Sequence, residues 1–197
     1  AKILEHVMPI VLRIFFVVYP IITNVAFEVF SCYRFEDGRG WLVADVTMQC
    51  DSAEHLTAKL LARIAIVVYP LGIWLLNLAL LLAARTAIQS GRPTTLSSTL
   101  DFLHREYKPE YFWWELVEML RRFLLVGLYV ALLEPFQQGS IMQVALATLT
   151  AIIFLTIQVQ AMPYRDSFDN QLALACSLSL TVMLLTCILY KLASFTD

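Results

Sequence analysis

Four charged side chains at helical spacing, Glu115, Glu118, Arg121 and Arg122, stand where the chain otherwise turns apolar. Steps of three and four residues place Glu115, Glu118 and Arg122 on one stripe with Tyr111, Leu125 and Tyr129, and let Arg121 pair with Glu118. In lipid an unpaired charge is costly, so such a group must face protein and be mutually neutralised. There it could couple, gate or conduct. At the bilayer surface the same residues would form an interfacial cluster with snorkelling arginines.

Two cysteines carry the other readable chemistry. Cys32 and Cys50 enclose a polar loop and point to a disulfide on an oxidising face, the alternative being two unrelated thiols. Within that loop Glu36, Asp37, Asp45, Asp51 and Glu54 could concentrate cations at a pore mouth, or belong to an ordered external cap. Cys176 and Cys187 fall in a later apolar block and read as free thiols packing as small apolar residues. His6, His55 and His104 are scattered; only His6 and His104 could share a face, as a bis-histidine cofactor site would need. The chain has no His-Glu-x-x-His, Gly-x-Ser-x-Gly, phosphate loop or Cys-x-x-Cys. It reads as a non-enzyme with no cofactor and no metal, and without the basic tract that nucleic acid requires.

The elements that position these residues follow from composition. The chain is 59% hydrophobic and 15% charged, with a mean hydropathy of +0.71, whereas soluble domains are nearer 45–50% apolar and about 25% charged. The apolar residues come in long blocks, which favours membrane helices over a barrel. The expected fold is all-α: a polytopic helical membrane bundle of about five spans forming one domain over 1–197. The spans fall at 10–30, 60–84, 115–133, 141–162 and 172–192, with an external disulfide-closed loop at 31–59 and an inner connector at 86–108. Pro20 and Pro70 lie mid-span, where a lost backbone hydrogen bond predicts a kink. Ala1, without a methionine, points to a processed chain or a fragment.

The charged helix is expected to start at Pro109, suited to a first turn, and to run without a breaker to Glu134-Pro135. Those roughly 37 Å exceed a hydrocarbon core of about 30 Å, so Trp113 and Trp114 are expected at the interface. In the connector, Leu96, Leu100 and Leu103 predict one short amphipathic helix with Asp101, His104 and Arg105 on its solvated face. Asp169 is expected to cap the last helix. Asn24, Asn77, Gln158 and Gln160 are expected to bond between helices. With the cysteine loop outside, Lys2, Arg13, Arg85, Arg92, Arg105, Lys108 and Arg165 fall on the cytosolic side and Arg34, Arg39, Lys59, Arg63 and Lys191 opposite. The amino terminus is then inside and the carboxyl terminus outside.

Two patterns bear on function. Arg13-Ile-Phe-Phe-Val-Val-Tyr-Pro20 is echoed by Arg63-Ile-Ala-Ile-Val-Val-Tyr-Pro70, which in oppositely directed helices would be the trace of a transporter-like repeat or a coincidence. A longer series comprises Cys32, Phe35-Glu-Asp-Gly38, Leu42-Val-Ala-Asp45, Cys50, Tyr69-Pro-Leu-Gly72, Tyr107 to Glu115, Arg121-Arg122, Pro163-Tyr-Arg165 and Asp169-Asn170. It resembles the transmembrane region of large protist and algal surface proteins with cysteine-rich repeats of the ephrin-receptor-like type, a region described as similar to transient-receptor-potential-like channels. The resemblance implies a channel- or sensor-like transmembrane module, possible in a cation-conducting form, in a plasma membrane or another with an oxidising face. The alternatives are a non-catalytic assembly subunit of a larger membrane complex and a small transporter. The implied partners are the lipid bilayer and either other membrane subunits or further copies of the chain.

Overall fold

The computed structural model describes residues 2–35, 38–128 and 140–193, most of them helical. Helix α1 (Lys2–Glu28) leads into a small antiparallel hairpin, β1 (Cys32–Arg34) with β2 (Gly40–Leu42). The hairpin is an addition to the expected all-α architecture. Its register pairs Tyr33 with Trp41, and the Cys32–Cys50 disulfide fastens it.

Helix α2 (Ala53–Ile66) starts ahead of the expected residue 60 because Ser52 caps it, accepting the His55 N–H. A hydroxyl that satisfies an orphan N–H fixes a helix start that hydropathy cannot see. The chain continues through a π-turn (Val67–Leu71) into α3 (Gly72–Ser90), which ends at Gly91 in the left-handed conformation. Pro70 lies inside the π-turn, where a widened turn accommodates the missing N–H. Pro20, by contrast, lies within unbroken α1. The two halves of the sequence echo therefore differ in local structure.

The connector folds as two short helices, α4 (Thr95–Thr99) and α5 (Asp101–His104), rather than one. A reciprocal Thr94–Ser97 capping box starts the first. Leu100 and Leu103 are fully buried. His104, expected in solvent, is half-buried with Nε2 3.2 Å from the Ser97 carbonyl, while Arg105 stays exposed and pairs at 3.8 Å with Asp101, itself half-buried.

Pro109–Tyr111 form a 3-10 turn, and α6 begins at Trp114, running to Phe123 and on through a π-segment (Leu124–Leu128). The expected single helix from Pro109 is thus two pieces, and the part of the 115–133 span beyond 128 lies outside the described residues. Trp114 is 1% exposed and belongs to the core, not to an interface; Trp113 is 38% exposed. The ring N–H of Trp74 donates to the Leu116 carbonyl at 2.9 Å and ties α3 to α6. Helices α7 (Ile141–Ala161) and α8 (Ser167–Ala193) pack along each other as a hairpin. Asp166 caps α8, its carboxylate 3.0 Å from the Phe168 N–H, and Asp169 sits in the first turn. The cap precedes the expected residue because α8 starts at Ser167.

Among the described residues four helical stretches are long and apolar enough to cross a membrane: Val7–Glu28, Ala53–Ser90, Ile141–Ala161 and Ser167–Ala193. Their outward faces carry exposed Val17, Leu61, Val68, Val182 and Leu189. Such surfaces fit a membrane location, since lipid solvates them where water would not. Inside, Tyr19, Leu81, Leu100, Leu103, Phe112, Leu116 and Met119 join α1, α3, α5 and α6 into one core. A second cluster of Phe27, Phe30, Ala62, Ile66 and Phe123 joins the end of α1 to α2 and α6.

Candidate functional site

The charges of α6 resolve into two linked pairs. Arg121 Nη2 lies 2.7 Å from Glu118 Oε2, one helical turn apart. Arg122 lies 3.9 Å from Glu115, two turns back along the same stripe. The stripe offers Arg122 a choice of acids, and the structure gives it Glu115 rather than Glu118. Side-chain exposure is 7% for Glu118 and 20% for Arg121. Headgroup snorkelling does not describe such a pair, whereas Arg122, at 45%, does reach the surface.

Each pair is extended by a polar partner from another element. Arg121 Nη1 donates to Ser177 Oγ of α8 at 3.0 Å, and the Ser177 hydroxyl donates to Gln158 Oε1 of α7 at 2.7 Å. The chain Glu118–Arg121–Ser177–Gln158 therefore crosses from α6 to both arms of the α7–α8 hairpin. On the other side, Tyr107 donates its hydroxyl to Glu115 Oε2 at 2.6 Å. Burial first, and the Glu115 charge second, hold the Tyr107 phenol well above its usual range, so it stays a donor.

Tyr107 is itself held by a backbone staple. Lys108 N–H donates to the Pro163 carbonyl at 2.9 Å and Arg165 N–H to the Glu106 carbonyl at 3.0 Å. Arg165 Nε donates to the Tyr107 carbonyl at 2.7 Å, and the rings of Tyr107 and Tyr164 meet tilted at 43° with centroids 5.0 Å apart. The connector is thus sewn to the α7–α8 turn directly below the charged residues. No periodicity reveals this staple, which joins segments more than fifty residues apart; isolated tyrosines beside cations were its only trace.

At the opposite end the disulfide-closed loop is ordered by His55, which composition leaves inconspicuous. The Asp51 N–H donates to His55 Nδ1 at 2.9 Å, so the proton sits on Nε2, 2.9 Å from the Val29 carbonyl that accepts it. One fully buried ring thereby joins α2 to the end of α1, 4.0 Å from Cys32 Sγ. Cys32, Cys50 and His55 lie within 4.8 Å of one another, but both sulfurs are spent in the disulfide. The group is a staple, not a metal donor set.

The acids of this loop are used locally. Asp45 accepts from the Thr47 hydroxyl and N–H, and the hydroxyl bond is the larger cause of its lowered pKa. Asp51 pairs with Arg34 at 3.2 Å and Lys59 at 3.8 Å. Glu54 sits in the first turn of α2, where a negative charge suits the helix dipole. Glu36 and Asp37 lie outside the described residues, as does the His6 side chain. Of the polar residues expected between helices, Gln158 bonds Ser177, and Asn77 meets Met119 Sδ at 3.8 Å. Asn24 instead bonds Glu28 of its own helix at 3.4 Å. Cys176 and Cys187 are free and exposed on α8, not packed within the bundle.

A packed path joins the two ends. The Phe30 ring lies 6.4 Å from that of Phe27, and Phe27 lies 5.6 Å from Phe123, two residues after Arg121. The disulfide, His55, the Phe cluster, α6 and the ionic chain are consecutive neighbours.

In comparison with known proteins, the chain is 27% identical over 172 residues, 83% of its length, to Cysteine repeat modular protein A of Toxoplasma gondii. It spans 5% of that protein's length. No protein-family model matches the chain, and no solved structure does.

Proposed function

We propose that this chain is a sensor-like transmembrane module that couples its disulfide-closed cap to the connector and the α7–α8 turn at the other end of the bundle. The observation that carries this reading is the chain Glu118–Arg121–Ser177–Gln158, a largely buried charge pair bonded across three helices. Ion pairs inside a bundle are expensive to place and rarely improve stability over an apolar core, so their presence favours a function. The π-segment that follows Phe123 interrupts regular α-helix next to this chain, and such π-turns are frequent at functional sites. The likeness to part of a much longer cysteine-repeat protein supports a module that works within a larger surface protein. The distribution of Lys and Arg together with the disulfide favours the cap outside, the amino terminus cytosolic and the carboxyl terminus opposite.

Cation conduction is the stronger form of this reading and requires several copies around a shared axis. A second reading, a non-catalytic assembly subunit, is favoured by α8, of whose apolar stretch only 11% is buried within the chain. Cation flux into liposomes, measured with the oligomeric state of the purified protein, separates them. A conducting homotetramer supports the channel form, a non-conducting chain with an intact response to the cap supports the sensor, and a fixed stoichiometric place in a larger complex supports the subunit.

A further inference from the structure

A groove of about 290 Å³ opens where α7 ends and α8 begins, beside the staple. Lys108 and Arg165 reach into it from the connector and the α7–α8 turn. Both cations are held by carbonyls rather than carboxylates. Lys108 Nζ donates to the Met162 carbonyl at 2.7 Å, and Arg165 uses Nε on the Tyr107 carbonyl. Neither lies within ion-pairing distance of a carboxylate among the described residues. Carbonyls orient a cation without neutralising it, so N–H groups of the ammonium and guanidinium remain for a ligand, and they complement an anion. Asp166 and Asp169 do not line the groove, and Asp166 is occupied as a helix cap.

The surroundings decide which anion. Beside the polar Ser167, Asn170 and Gln171, the groove has an apolar wall of Val159, Met162 and Leu174, with Met162 54% and Val159 44% exposed. These residues continue onto the outer faces of two helices long and apolar enough to cross a membrane, and the groove lies at their ends, the depth of the headgroups. A soluble phosphate would use the cations and leave the apolar wall in water. A lipid would use both. We infer that this groove binds an anionic phospholipid, its phosphate on Lys108 and Arg165 and its acyl chains along α7 and α8. Gln158 lines the groove and also ends the ionic chain from Arg121, so a bound lipid would sit one side chain from that chain. The binding itself does not depend on the coupling reading.

Native mass spectrometry of the full chain in a neutral detergent tests it, with phosphatidylserine, phosphatidylcholine or inorganic phosphate as probes. Wild type should retain phosphatidylserine in preference to phosphatidylcholine and should not retain phosphate alone. Lys108→Gln should weaken phosphatidylserine retention about tenfold, the equivalent of one charge-assisted hydrogen bond. Lys108→Arg should keep it, which excludes a folding defect as the cause, and Arg92→Gln, elsewhere in the connector, should leave it unchanged. Equal retention by Lys108→Gln and wild type would overturn the proposal. So would displacement of the lipid by inorganic phosphate at the same concentration, which would make the site one for free phosphate.

Discussion

Arg121 lies 2.7 Å from Glu118 on its own helix and 3.0 Å from Ser177 on α8, so one guanidinium closes an ion pair and bridges two helices at once. Its planar fork makes the dual role possible, which an ammonium would not reproduce. Glu118→Gln should therefore leave Arg121 buried without its counter-charge and cost about 3 kcal/mol, the low end for a broken buried pair because Arg121 retains some exposure. Glu110→Gln, in the preceding 3-10 turn, should be near neutral. The double swap Glu118→Arg with Arg121→Glu should recover part of the stability without restoring the Ser177 bond. Thermal unfolding of the four proteins in one detergent checks the order.

The cap depends on its covalent tie. Replacing Cys32 or Cys50 by Ser opens a closure of 18 residues, which should cost about 3 kcal/mol of local stability. Amide exchange should rise across the hairpin and the start of α2, with the helices still inserted. Unchanged exchange over residues 38–56 would mean that His55 alone orders the loop.

Gly127 sits against the face of Phe27, and a Cβ there would fall on the ring. Phe27 is 3% exposed and cannot swing away freely. Gly127→Ala should cost about 1–3 kcal/mol as overpacking, and Phe27→Leu in the same chain should relieve part of it. Additive losses in the double variant would contradict the contact.

At the start of α8, Asp166→Ala should cost about 1 kcal/mol because a helix cap is lost. Asp169→Ala should cost about 0.5 kcal/mol, the scale of a first-turn charge on the helix dipole. The reverse order in unfolding measurements would place the cap at Asp169.

Long apolar blocks made most of the helices legible in the sequence, and the Glu118–Arg121 pair followed from spacing alone. The disulfide was legible because two cysteines bracketed one polar loop. Other features were hidden for identifiable reasons. Trp114 is as amphipathic as Trp113, and only the packing of α3 against α6 decides which ring is buried. Ser52 and Asp166 set helix starts through single side-chain hydrogen bonds that hydropathy does not register. The π-segments at Pro70 and after Phe123 preserve helical periodicity closely enough to pass for α-helix. The Tyr107–Arg165 staple is a long-range contact between short segments, and no local rule finds such pairs.

The coupling between cap and connector is tested most directly by hydrogen exchange on the full chain in lipid, before and after reduction of Cys32–Cys50. Reduction should raise exchange at the hairpin and also at residues 106–108 and 162–165, the staple at the other end. Ser177→Ala, which cuts the ionic chain, should weaken the distant response at residues 162–165 while keeping the local one, because Tyr107 stays bonded to Glu115 on α6. A response confined to the hairpin in the wild-type chain would contradict coupling between cap and connector and leave the charges of α6 as a structural pair.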